Sequence, residues 1–325
     1  GIKKENVIVA EQALIGSNSV DAASKAGILE ICKKHGVNFV DISKGIFEDI
    51  ESDGYTFRIF KEALNRKVIN TPIMKTNFQI GISGALENLS RLVDEKTQRC
   101  MYFDDIDKTL PKLAKAIDAF TIADATNGMQ GQGPLALGEP AFLNLVFASK
   151  NAALLDAVFC ETSMLPIPNH ISSSLKNSSV KNIEVVGNEI DALKYPIKAA
   201  VSNETSHADI KVFDGKACPA CLNAMHSLTS KLVGLRGEQI NLVIGSILTE
   251  DMLSGKKRLV AFGDCAIKRL EELKIGNIAK INENIDDVEQ LALLKKLLTT
   301  GGNAEITHVD RIKSKMKKII SKVIW

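Results

Sequence analysis

Short apolar runs alternate with stretches of helical periodicity along nearly all of this chain, and few folds accept such an order. Residues 7–10, 37–42, 68–74, 120–125, 143–148 and 183–186 read as strands. Between them, 21–34, 84–93, 106–117 and 154–164 place apolar residues at helical spacing; in the first, Ala22, Ala26, Ile28, Leu29 and Cys32 share a face. Pro72 interrupts the strand at 68–74. The alternation implies an α/β fold, a mainly parallel sheet sandwiched by helices. A mixed, aperiodic stretch follows at 195–207, and then the pattern resumes. Helices are expected at 221–235, 266–273 and 285–298, and strands at 240–244, 259–262 and 277–281. The 325 residues therefore divide into an α/β domain at 1–196 and a second, smaller α/β domain at 207–325 that carries the cysteine pair.

Composition excludes several classes of function. With 45% apolar and 25% charged residues the chain is an ordinary folded protein, not a disordered one. No apolar run reaches the roughly 18 residues of a bilayer span, so no membrane span is expected. A net charge of +2 offers nucleic acid no bulk attraction. The basic charge is concentrated at the C-terminus. There Arg311, Lys313, Lys315, Lys317, Lys318 and Lys322 interleave with Ile312, Met316, Ile319, Ile320 and Val323 at helical spacing. This reads as a basic amphipathic helix packed on its own domain, with a membrane surface, nucleic acid or an acidic partner as the alternative.

Three segments of the first domain could carry chemistry. A buried strand runs into Lys75-Thr76-Asn77, and the turn Gly81-Ile-Ser-Gly84 opens the next helix. Ligands bind at such strand ends in open α/β sheets, helix starts attract anions, and Lys75 adds a full charge. A solvated strand end is the plain alternative. Asp124 closes the strand at 120–125 and is followed by Gly128, Gly131 and Gly133, then Glu139. A glycine loop of this kind can cradle a phosphate or carboxylate, although it matches neither the dinucleotide fingerprint nor the P-loop. A long structural connection is the alternative. Asp156 sits inside an apolar helix and needs a partner; a helix-start network through Ser149 and Asn151 is the preferred reading.

The six cysteines are Cys32, Cys100, Cys160, Cys218, Cys221 and Cys265. Cys218-Pro-Ala-Cys221 opens a helix, and Cys265 follows a strand in Phe262-Gly-Asp-Cys265. A helix start stabilises thiolate, and thiolates grouped at one sheet edge suit an iron–sulfur cluster or zinc. A complete site wants four ligands, whereas Cys32, Cys100 and Cys160 read as small buried hydrophobes. A dithiol, or three unconnected cysteines, is the alternative. His35, His170, His207, His226 and His308 form no zinc-type pair; His226, five residues after Cys221 on the same expected helix, reads as a helix-surface residue, with approach to the cysteine edge as the alternative. No Gly-x-Ser-x-Gly elbow occurs.

Ile69-Asn-Thr-Pro-Ile-Met-Lys-Thr-Asn77, Ser83-Gly-Ala-Leu-Glu-Asn88, Asp124 with Gly128-Met-Gln-Gly-Gln-Gly-Pro134, and Ala148-Ser-Lys-Asn151 with Asp156 occur in that order. Over about the first 190 residues this ordered set resembles the domain of unknown function 362 family. Members usually have a strand, a helix and a lysine-containing stretch before the point where this chain begins, so the resemblance implies a domain truncated at its start. The family's usual histidine after Lys-Thr is Asn77 here, and its usual lysine before Asn88 is Glu87. The resemblance implies a bacterial or archaeal protein, often of anaerobes and often with iron–sulfur ligands, and no assigned reaction. In relatives with a cysteine-bearing C-terminal unit, the C-x-x-C and Gly-x-Cys look like cluster ligands, with a further cysteine after the next strand. That place reads Ile281-Asn-Glu-Asn284 here.

The expectation is a cytoplasmic redox or accessory protein of anaerobic metabolism, with an iron–sulfur cluster on Cys218, Cys221 and Cys265. Its fourth position falls to water, substrate, Glu283 or a group from a partner. Lys75, Asp124, Gly128, Gly131 and Gly133 form the expected pocket for a small anion. A protein partner or a second copy of the chain is the expected association. Two alternatives stand beside this: an enzyme acting on a small phosphorylated or carboxylated substrate, with no cofactor, and a non-catalytic subunit of a larger complex.

Overall fold

Contacts divide the chain into two units, Gly1–Ser202 and Asn203–Trp325. The computed structural model describes residues 2–14, 17–134, 137–175, 184–200, 207–232, 234–276, 278–282 and 287–300. Both units are α/β.

In the first unit, β1 (Ile8–Glu11) pairs in parallel with β2 (Asn38–Asp41) by way of α1 (Ser19–Lys25) and α2 (Ile28–His35). The spacing suggests one helix over 21–34, but Gly27 at φ 75° breaks it, because a left-handed residue cannot continue a right-handed helix. A hairpin follows, β3 (Phe47–Ser52) and β4 (Tyr55–Phe60), turned by Asp53 and Gly54, both at positive φ. Asp-Gly suits that two-residue turn. Helix α3 (Lys61–Asn65) leads to β5 (Val68–Asn70), β6 (Ile73–Asn77) and β7 (Gly81–Ser83). Then come α4 (Ala85–Leu89), α5 (Glu95–Ala116), β8 (Ala119–Gln132), β9 (Leu137–Ala141) and β10 (Leu145–Ser149). Helices α6 (Ala152–Thr162), α7 (Asn169–Leu175) and α8 (Ile190–Leu193) follow.

Strand β8 organises the main sheet. It pairs in parallel with β5 and β6, and antiparallel with β9 and β10. The expected strand at 68–74 is therefore two, β5 and β6. Pro72 between them has no N–H to give, and its carbonyl accepts from the Asp124 N–H at 2.9 Å. The strand expected at 183–186 falls partly outside the described residues, and 184–186 carry no strand pairing. Met74, Ile82, Leu86, Ala123, Leu155 and Phe159 share one core; Phe57, Ile59, Leu89, Val93, Met101 and Leu113 share another.

The second unit runs β11 (Ile210–Gly215), α9 (Pro219–Ser230), β12 (Ile240–Gly245), α10 (Glu250–Leu253), β13 (Leu259–Phe262), α11 (Asp264–Glu272), β14 (Ala279–Ile281) and α12 (Asp287–Thr300). Strand order is β11-β12-β13-β14 and every pairing is parallel. All of β12 and β13 is buried, the mark of strands covered on both faces. The basic helix expected at 311–325 lies outside the described residues, as does Glu283. No described helix is long and apolar enough to cross a membrane.

Asp156 ties the first core together. It is fully buried on α6, and its carboxylate accepts from the N–H groups of Ala85 at 2.6 Å and Leu86 at 2.9 Å, the open start of α4. Gly84 must lack a side chain here, since a Cβ would lie 2.8 Å from the Asp156 Cγ. The expected network through Ser149 and Asn151 exists separately: the Asn151 side chain caps α6 by accepting from the Leu154 N–H. Burial pushes the Asp156 carboxyl up to about 6, against the pull of its two N–H donors. A carboxyl raised on folding favours the fold while protonated, so its contribution is present below about pH 4 and is lost as pH rises through about 6. The first unit of the wild type should therefore lose stability across that window relative to Asp156→Asn. Glu11 is pushed the same way and is common to both proteins. Denaturant unfolding of both between pH 4 and 7 measures this, and parallel curves would refute it.

Candidate functional site

Each unit presents one candidate site. In the first, Lys75 lies on β6, half-buried, opposite Ser83 of β7 and Met129 of β8. Among the described residues it makes no ion pair. Glu11, the last residue of β1, feels the charges of both Lys75 and Arg91. Burial raises its carboxyl above the ordinary range, while the Gln12 N–H and those two cations pull it down. Arg91 in turn holds the nearly buried Glu87 at 3.2 Å. Two acids and two bases thus gather within reach of Glu11: Lys75 midway along β6, Glu87 on α4, and Arg91 just after it. Glu87 and Arg91 stand at i and i+4, a spacing visible in the sequence; nothing local announces Glu11. Asn77 is committed to structure, since its amide donates to Ser83 Oγ at 2.9 Å and its oxygen accepts from the Gln79 N–H at 2.8 Å.

The glycine segment is not a loop. Strand β8 runs through Asp124, Gly128 and Gly131 and ends at Gln132. Asp124 lies within the strand, where its carboxylate accepts from the N–H and hydroxyl of Thr126; these bonds hold it below the ordinary range. Gly128 is required because a Cβ would stand 2.6 Å from the Met74 carbonyl oxygen, and Gly133 because it would meet that of Thr76. The Gly131 N–H donates to the Lys198 carbonyl at 2.8 Å, and the Gly133 N–H to that of Gly131. Those donors are spent within the protein rather than turned toward an anion; Gly128 and Gly133 let strands approach, while Gly131, with open space beside it, supplies a left-handed φ of 70°. Lys75 meets this segment through strand pairing.

In the second unit, α9 follows β11 and α11 follows β13, so both helices start at the C-terminal edge of one parallel sheet. Asp214 shapes the first turn: its Oδ1 accepts from the Ala217 N–H at 2.7 Å, while burial raises its carboxyl. Lys216 takes a left-handed φ of 58°, which delivers Cys218 as the N-cap of α9. Cys221 is buried, 5% exposed, with its Sγ 2.8 Å from where a Cβ on Gly263 would stand. Gly263 has φ 85° and caps α11, whose second residue is the exposed Cys265. The C-x-x-C turn and the Gly-Asp-Cys turn are thus in contact through Cys221 and Gly263. Among the described residues, no three His, Cys, Asp or Glu side chains are grouped closely enough to hold a metal ion.

Other expectations are corrected. His226 is buried rather than on the helix surface, and burial lowers the pKa of its ring. Cys32 and Cys160 are buried as expected, but Cys100 on α5 is exposed.

Replacing Gly263 by Ala combines backbone strain with a clash on the thiol, whereas Gly255→Ala, at φ 69° with open space, adds strain alone. Gly263→Ala is expected to cost about 1–3 kcal/mol and more than Gly255→Ala. Equal shifts in thermal unfolding would show that Cys221 does not pack there.

The family called Domain of unknown function (DUF362) has a model that matches residues 1–161, within the first unit. No curated protein matches the chain. What the match shows is that residues 1–161 are similar to the domain of unknown function 362 family.

Proposed function

We propose that the second unit holds an iron–sulfur cluster on Cys218, Cys221 and Cys265, and that the protein is a redox or accessory component of anaerobic metabolism in the cytoplasm. The contact between Cys221 and Gly263 carries the reading, because it joins the two cysteine-bearing turns at one sheet edge. The donors fit in kind: three sulfurs at two helix starts, where the dipole favours thiolate. Loading requires these side chains to rotate together. A bound cluster supplies one-electron transfer, and the second unit's part is to hold it beside a sheet edge open to a partner or substrate. Glu283 remains the protein's own candidate for the fourth position.

The test is iron and sulfide analysis, with a visible spectrum, of the full chain purified and reconstituted without oxygen. Wild type should bind both, and Cys218→Ser or Cys265→Ser should lower iron content about tenfold or more. Failure of the wild type to take up iron ends the reading.

A second reading concerns the first unit, where the half-buried Lys75 lies near Glu11 without an ion pair among the described residues. It is the natural seat for the carboxylate or phosphate of a small ligand. Lys75→Ala should weaken binding of such anions about tenfold, as a lost charge-assisted hydrogen bond predicts, with the melting temperature little changed. Unchanged binding in calorimetric titrations would remove the pocket.

A further inference from the structure

We infer that Cys218 and Cys221 form a thiol–disulfide exchange pair in the metal-free protein, with Cys218 as the attacking sulfur and Cys221 as the resolving one. The inference uses the same two thiols as the cluster reading but does not require it, because sulfurs bound to iron cannot exchange.

The local architecture is strand, tight turn, Cys-Pro-Ala-Cys, helix. Cys218 is the N-cap and Pro219 the first residue of α9, a helix of 12 residues. The Leu222 N–H donates to the Cys218 carbonyl at 3.2 Å, so the first turn is closed and the cysteines stand three residues apart on it. Cβ atoms so spaced on a helix lie about 5–6 Å apart, against the roughly 3.5–4.5 Å of a disulfide. Cys218, as an N-cap with extended backbone at φ -72° and ψ 161°, lies outside the helix proper and can turn toward Cys221 to close that difference.

The two thiols differ in the way exchange demands. Cys218 is half-exposed, at the end of the helix that favours an anionic sulfur. Cys221 is buried beneath Gly263. An incoming disulfide can reach Cys218, whereas Cys221 is shielded from anything but a sulfur already held at Cys218. The Asp214 to Ala217 hydrogen bond and the left-handed Lys216 fix the turn that presents them.

The chemistry balances with a disulfide as substrate. The Cys218 thiolate attacks one sulfur of R–S–S–R′, forming a Cys218–S–S–R bond and releasing R′–S⁻. The Cys221 sulfur, its proton given to solvent, then attacks Cys218 and releases R–S⁻. The substrate disulfide gains two electrons, the protein dithiol loses them, and an added thiol reductant resets the pair. The leaving thiolates take up protons according to pH.

The test uses the full chain, stripped of metal by chelation and fully reduced, with two probes: oxidised glutathione for small disulfides and insulin for protein disulfides. Turnover of either, with a Cys218–Cys221 disulfide in the wild-type peptide by mass spectrometry, is the expected result. Cys218→Ser should slow exchange at least about tenfold while keeping the helix, because Ser is itself a good N-cap. Cys221→Ser should accumulate a glutathione adduct on Cys218, and Cys100→Ser should behave as wild type. Inactivity toward both probes, or a Cys218→Ser variant as fast as wild type, overturns the inference. Iron content is measured on separately reconstituted protein. Exchange without iron uptake therefore sinks only the cluster, and iron uptake without exchange sinks only the dithiol.

Discussion

The backbone of β6 presses so closely on β8 that carbonyl oxygens occupy the places where side chains would begin. Gly128 faces the Met74 carbonyl and Gly133 faces that of Thr76. Any larger residue there would separate the strands, and with them the sheet that β8 holds together. The approach is also irregular. Ile73 pairs with Asp124, but Lys75 pairs with Met129, so the register slips between them. A bulge of this kind re-aims the side chains beyond it, and Lys75 is the first residue after the slip. The placement of Lys75 among the neighbouring charges therefore depends on a packing constraint made of backbone.

The second unit depends on a different constraint, the regularity of a parallel sheet. Because β11, β12 and β13 all point one way, α9 and α11 start at the same edge. Two helix starts bring two sets of N–H groups to that edge, with Cys218 and Cys221 on one turn and Cys265 on the next. Gly263 then allows Cys221 to lie against the turn of Cys265. The proposed cluster and the proposed sulfur exchange draw on the same two thiols, since both need an accessible thiolate and a second sulfur close behind it. The two proposals exclude one another at any moment, because a sulfur bonded to iron is no longer a nucleophile.

Much of this was legible in the residues. The periods of β12, β13, α6 and α12 are visible in the chain, and the Asp53-Gly54 pair between two alternating runs announces a hairpin to a reader who looks for it. Other parts were not. Strand β11 escapes periodicity because it is an edge strand with polar and apolar positions mixed. The glycines at 128, 131 and 133 look like a loop because glycine permits loops. Only the carbonyls of β6, distant in sequence, show that Gly128 and Gly133 permit close approach instead. Glu11 and Arg91 join Lys75 through tertiary packing, and the burial of His226 is decided by what covers α9.

The sequence by itself determined the α/β class, the alternation of its longer strands and helices, and the break at Pro72. Those properties are local: they follow from side-chain direction, period and allowed φ within a few residues. Tertiary structure alone decided that Asp156 caps a helix start 71 residues earlier in the chain. It alone decided that a glycine-rich stretch is a central strand and that one thiol lies beneath a glycine on another turn. These are contacts between residues distant in sequence. Their energies depend on which surfaces meet, and no window along the chain contains both partners.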